Sequence, residues 1–170
     1  MTASVCPGSQ DAWTSWVSAA PFKAWLMHLA SSTGFHPLAI AVAAGVPTSV
    51  ARSLAGSGTK PRRIRIMDAR ALLSVDAESL RQRGHTLVDA TLAQRALRDL
   101  GSWQPDAEYL AQRLRLNPRT AAGLTAGRLD VCPMYIAWHC IALAQDITHQ
   151  RTTIVRGSAE QFGTVAVRAA

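Results

Sequence analysis

Two stretches of this 170-residue chain carry small and apolar residues in the same order about 70 positions apart. Ile40-Ala41 falls on Leu110-Ala111, Val46 on Leu116, Leu54 on Leu124, Ala71-Leu72-Leu73 on Ile141-Ala142-Leu143, and Asp76 on Asp146. Pro47 and Gly56 match Pro118 and Gly127 at a spacing of 71, which predicts a one-residue insertion in one copy. A period of this length marks one supersecondary unit used twice. Whatever the first copy folds into, the second must accommodate as well, and few architectures satisfy both.

The unit is helical. Pro21 suits a first helical position, and Phe22, Trp25, Leu26 and Leu29 follow at i, i+3, i+4 and i+7. Gly34 ends that helix. A second helix runs from Pro37 to Gly45 with Ile40 and Ala41 inward, and a third from Thr48 to Gly56 with Val50 and Leu54 inward. GSGTKPRRIR reads as a Gly/Pro-punctuated basic loop. A fourth helix covers Met67–Ser74, and Asp76 caps another through Leu80 and Arg83. The second half repeats the plan: Thr86 caps a helix to Leu100, Pro105 opens one to Leu114, Pro118 one to Gly127, and Pro133 one to Thr148. No alternation is long enough for a sheet. The expected fold is all-α, two tandem helix-turn-helix-containing helical bundles. Its divisions are an irregular lead-in over 1–17, a first unit over 18–76, a second over 77–150 and a flexible basic tail over 151–170.

Composition excludes several classes. No run of about 18 uncharged apolar residues exists, so no transmembrane helix is expected. The first residues lack a basic stretch followed by an apolar core, so no export signal is expected either. Cys6, Cys132 and Cys140 form neither a disulfide framework nor a paired zinc pattern, which points to a reduced cytoplasmic setting. No phosphate-binding glycine loop or hydrolase motif is present, and neither an enzyme activity nor a cofactor or metal is expected. Sixteen of the 18 basic residues are arginines, and the formal charge is +7. Arginine suits phosphate recognition, but a GC-rich genome produces the same bias.

The segment PLAIAVAAGVPTSVARSLAG, Pro37–Gly56, has helix-turn-helix spacing. Ala41 is small where the second helix must cross closely, Gly45 supplies a turn through positive φ, and Val46 plugs the crossing. Thr48, Ser49, Arg52 and Ser53 are left outside, the short polar surface a helix in a major groove presents. An ordinary helical hairpin also wants Ala and Gly at a tight crossing. Over Pro37–Gly56, and less closely over Pro105–Gly127, the chain resembles the helix-turn-helix superfamily of bacterial and phage transcriptional regulators, of the repressor-like kind. That resemblance implies that the second helix of the motif reads bases, placing Thr48, Ser49 and Arg52 at base edges. One residue fewer than usual separates Val46 from Val50.

Lys60, Arg62, Arg63 and Arg65 follow as the densest cationic run, with no acid inside it. A stretched basic arm can track phosphates or enter a narrow minor groove. In the second copy Ala111 takes the small position, Arg115 replaces the turn glycine, and Asn117 caps a helix whose start exposes Arg119 and Thr120. Gly123 allows close approach and Arg128 reaches a phosphate. Asp106 and Glu108 nearby repel one. The expected function is therefore a sequence-specific, double-stranded DNA-binding transcriptional regulator with two such units. The alternative is an antitoxin-like or polymerase-associated adaptor using the helical surface. Expected partners are DNA and either a second copy or another protein, with no membrane.

Overall fold

The computed structural model describes residues 15–56, 63–100, 105–114 and 116–166, with side chains to residue 152. The class is all-α. The chain divides into two compact units, Met1–Ser79 and Leu80–Ala170. In the first, β1 (Trp16–Ser18) leads into α1 (Ala20–Thr33), α2 (Pro37–Ala44), α3 (Thr48–Ala55), β2 (Arg63–Arg65) and α4 (Ile66–Leu73). After α5 (Ala77–His85), the second runs β3 (Leu87–Asp89), α6 (Thr91–Arg98), α7 (Ala107–Leu114), α8 (Pro118–Thr125), β4 (Val131–Pro133) and α9 (Met134–Ala166). The order β-α-α-α-β-α thus occurs twice.

The repetition reaches individual bonds. Val17 lies opposite Ile64 in the antiparallel β1–β2 pair, and Val88 opposite Cys132 in β3–β4. The Ile66 N–H donates to the Ser15 carbonyl at 3.0 Å, and the Met134 N–H to the Thr86 carbonyl at 2.9 Å. Buried pairs give the true spacing. It is 71 for Leu26 with Leu97, 70 for Leu54 with Leu124, and 68 for Leu72 with Cys140. The one-residue change therefore lies between the first two helices and not at Pro47. Two more residues are lost before β4. Leu72 matches Cys140 rather than Ala142, and Asp146 is a buried residue of α9 rather than a counterpart of Asp76.

Each unit builds its own core. In the first, α1 packs on α2, α3 and α4, burying Leu26, Leu29, Ile40, Leu54 and Leu72. Trp25 is half-buried, and its indole N–H donates to the Leu72 carbonyl at 3.0 Å, tying α1 to α4. The second unit buries Leu97, Leu110, Leu124, Ile136, Cys132 and Cys140 in one cluster.

The turn between α2 and α3 is a Schellman closure. The Val46 N–H reaches the Ala41 carbonyl at 2.8 Å, and the Gly45 N–H reaches Val42 at 3.1 Å. Gly45 stands at φ 70°, where an added Cβ would meet nothing within 4 Å. Gly45→Ala should therefore cost only the left-handed strain, about 1 kcal/mol, and Gly45→Asn less, both read by urea denaturation. The Leu116 N–H repeats the long bond to Ala111 at 2.9 Å.

Four expectations change. The basic run is partly strand, because Arg63–Arg65 pairs with Trp16–Ser18 of the lead-in. Thr86 does not cap a helix: residues 87–89 are strand, and Asp89 accepts the Thr91 N–H at 2.7 Å at the start of α6. The backbone of residues 151–166 continues α9 as helix, although no helical periodicity is visible there. Val50 is half-exposed and Thr48 buried, because Ala51 and Leu54 face the core. Ala51 restores the spacing after Val46 that Val50 lacked. Two capping expectations hold: Asp76 accepts the Ser79 N–H at 2.9 Å, and Asn117 the Arg119 N–H at 2.8 Å.

Candidate nucleic-acid interface

The outer face of α3 and the β1–β2 ribbon enclose one groove. In an antiparallel pair, residues alternate between the two faces. Val17 and Ile64 point at the core, so Trp16, Ser18, Arg63 and Arg65 point outward and are exposed. On α3 the inward set Thr48, Ala51 and Leu54 leaves Ser49, Val50 and Ser53 on the far side. A groove of about 270 Å³ lies between, bordered by Trp16, Ser49, Val50, Ser53, Arg63 and Arg65, with Pro47, Asp68 and the edge of Ile64 completing it. The Ser53 hydroxyl donates to the Ser49 carbonyl at 2.9 Å, and its oxygen remains an acceptor toward solvent.

The expected site residues sort accordingly. Ser49, Ser53, Arg63 and Arg65 are brought together. Thr48 is withdrawn into the core at 6% exposure, so it faces no ligand, and Arg52 is half-buried and does not line the groove. Lys60 and Arg62 lie outside the described residues. Trp16 and Val50 line the groove too and are not among the expected site residues. Trp16 sits in what reads as an irregular lead-in, and Val50 fits the inward stripe by spacing alone. The strand pairing, 49 residues distant in sequence for Trp16 and Arg65, has no local signal.

In the second unit Arg119 and Arg128 are exposed and Thr120 half-buried. Gly123 serves packing instead of ligand approach: a Cβ there would stand 2.8 Å from the Leu129 side chain. The β3–β4 ribbon turns Leu87, Pro133, Asp89 and Val131 outward, opposite to the inward Val88–Cys132 pair. Leu87 is 66% and Val131 55% exposed. Hydrogen bonds from the Thr91 hydroxyl and N–H hold the Asp89 carboxyl below its ordinary range, so it is ionised at neutral pH.

The remaining clusters are structural in their geometry. The exposed Arg83 guanidinium lies 5.7 Å from the centre of the buried Trp138 ring, a cation–π contact. His139 bonds the Tyr135 carbonyl through Nδ1 at 2.7 Å, and burial lowers its pKa. Burial pushes the Cys140 thiol up to about 12 and raises that of Cys132. Since the thiolate is the reactive form, both should resist iodoacetamide at pH 7.5 in a Cys6→Ser background. Both should alkylate within minutes in denaturant, as intact-mass measurement would show. Among the described residues no three His, Cys, Asp or Glu side chains could hold a metal ion, and no helix is long and apolar enough to cross a membrane. No protein-family model matches the chain, and neither a curated protein nor a solved structure does.

Proposed function

We propose that this chain is a sequence-specific, double-stranded DNA-binding regulator of the repressor-like helix-turn-helix kind, acting in the cytoplasm and reading an asymmetric site through two units. The observation that carries this reading is the shared groove of the first unit. Short hydroxyl side chains on the second helix of the turn motif and two outward arginines on the adjoining ribbon border one surface. A helix of this kind fits a major groove, while a two-stranded ribbon beside it reaches the flanking backbone. Two such units in one chain can read two unlike half-sites, with no need for the palindrome that a symmetric dimer requires.

Retention on a random duplex pool, followed by anisotropy on a selected duplex across salt concentrations, tests the reading. If Lys60, Arg62, Arg63 and Arg65 neutralise about four phosphates, log K should fall against log salt with a slope of about −3.6. A pool from which nothing is retained overturns it. The adaptor reading draws on the exposed Leu87 and Val131; it predicts no retained duplex at any salt.

A further inference from the structure

The two ribbons can be compared position by position, because their registers coincide. Where the first unit turns Arg63 and Arg65 outward, the second turns Val131 and Pro133. Where the first has Ser18, the second has Asp89. The helices differ in the opposite sense. α3 and α8 correspond at a constant spacing of 70, so the exposed Ser49 of the groove corresponds to the exposed Arg119. At these matched exposed positions, positive charge lies on the ribbon in one copy and on the helix in the other. One scaffold has been given two electrostatic layouts.

Resting on the DNA-binding reading, we propose that both units read bases through their helices but only the first also grips phosphates with its ribbon. The first holds the duplex backbone through Arg63 and Arg65. The second keeps its ribbon off the phosphates and discriminates sequence through Arg119 of α8, which reads a guanine. A phosphate approaching Asp89 and Val131 would meet a fixed negative charge and an apolar side chain, and would gain no counterion release there. An arginine at the start of a groove-entering helix has the two-pronged donor geometry for the O6 and N7 acceptors of guanine. Phosphate contacts carry affinity without sequence information, whereas base contacts carry the reverse. The two properties are therefore separable by mutation.

The test uses the full chain and two probes: a duplex selected from a random pool, and a scrambled duplex of the same composition. Arg63→Ala/Arg65→Ala should weaken both to the same degree and make the salt slope shallower by about 2. Arg119→Ala should weaken the selected duplex about ten- to hundredfold and the scrambled one less than about threefold. Repeating the selection with Arg119→Ala should erase one guanine from the preferred site and leave the other positions. Equal loss on both probes for Arg119→Ala overturns the proposal, as does loss of discrimination in the double variant. DNA binding itself stands under either result. Wild-type chain that retains no duplex removes both. All three substitutions are at exposed positions, and unchanged thermal unfolding of each variant confirms that binding alone is being read.

Discussion

Leu54→Ala should destabilise the first unit by about 3 kcal/mol, while Val50→Ala, four residues earlier on the same helix, should cost less than about 1 kcal/mol. Leu54 is 1% exposed and packs beneath α1. Removing its three distal carbons leaves a cavity against α1 and α2, which also pack on one another and cannot both collapse inward. Val50 stands half-exposed on the groove, where water replaces the lost methyls. Urea denaturation of the two variants side by side reads the difference directly. Equal losses would mean that α3 sits in the register suggested by its spacing, with Val50 and not Ala51 inward.

Ser49→Glu/Ser53→Glu should reduce affinity for a selected duplex by at least about a hundredfold, with the fold intact. The two residues are one helical turn apart on the exposed side of α3, and both line the groove. Each carboxylate would face phosphates where a neutral hydroxyl stood, and would also pair with Arg63 or Arg65 and draw that charge away from DNA. Losing even two charge-assisted contacts amounts to about 3 kcal/mol, which is roughly a hundredfold at 1.4 kcal/mol per decade. Anisotropy at fixed salt measures the loss, and circular dichroism checks helix content. Unchanged affinity would place the DNA surface elsewhere than α3.

Much of this fold is legible locally. The spacing Ala41, Gly45, Val46 writes the α2–α3 turn into the chain, because a Schellman closure needs a residue free to adopt positive φ followed by an apolar plug. Asp76 and Asn117 mark helix starts for the same reason: a side-chain oxygen takes an N–H that the helix leaves without a partner. The ribbons are not legible. Three residues are too few for a period of two to show, and what makes Arg63–Arg65 a strand is a partner far away in sequence. The repeat is visible, yet its one-residue change reads at the wrong place and the two-residue loss before β4 does not show, since Ala-rich helices align well at neighbouring offsets until burial distinguishes them. The site inherited both limits. Ser49 and Ser53 follow from the motif, whereas Trp16 joins them only through the ribbon, and Thr48 is lost to the core because Ala51 sets the helix rotation.

The pairing of β1 with β2 also orders events during synthesis. β1 is made first and its partner about fifty residues later, which at 5–20 residues per second leaves several seconds with the edge uncovered. α1, α2 and α3 are all complete within that interval and can pack by short-range contacts, so the ribbon closes onto three formed helices and α4, made after β2, docks last. A three-residue edge offers few backbone groups for a neighbouring nascent chain to capture. The brevity that hides these strands from a reader of the sequence thus protects the growing chain from misassembly.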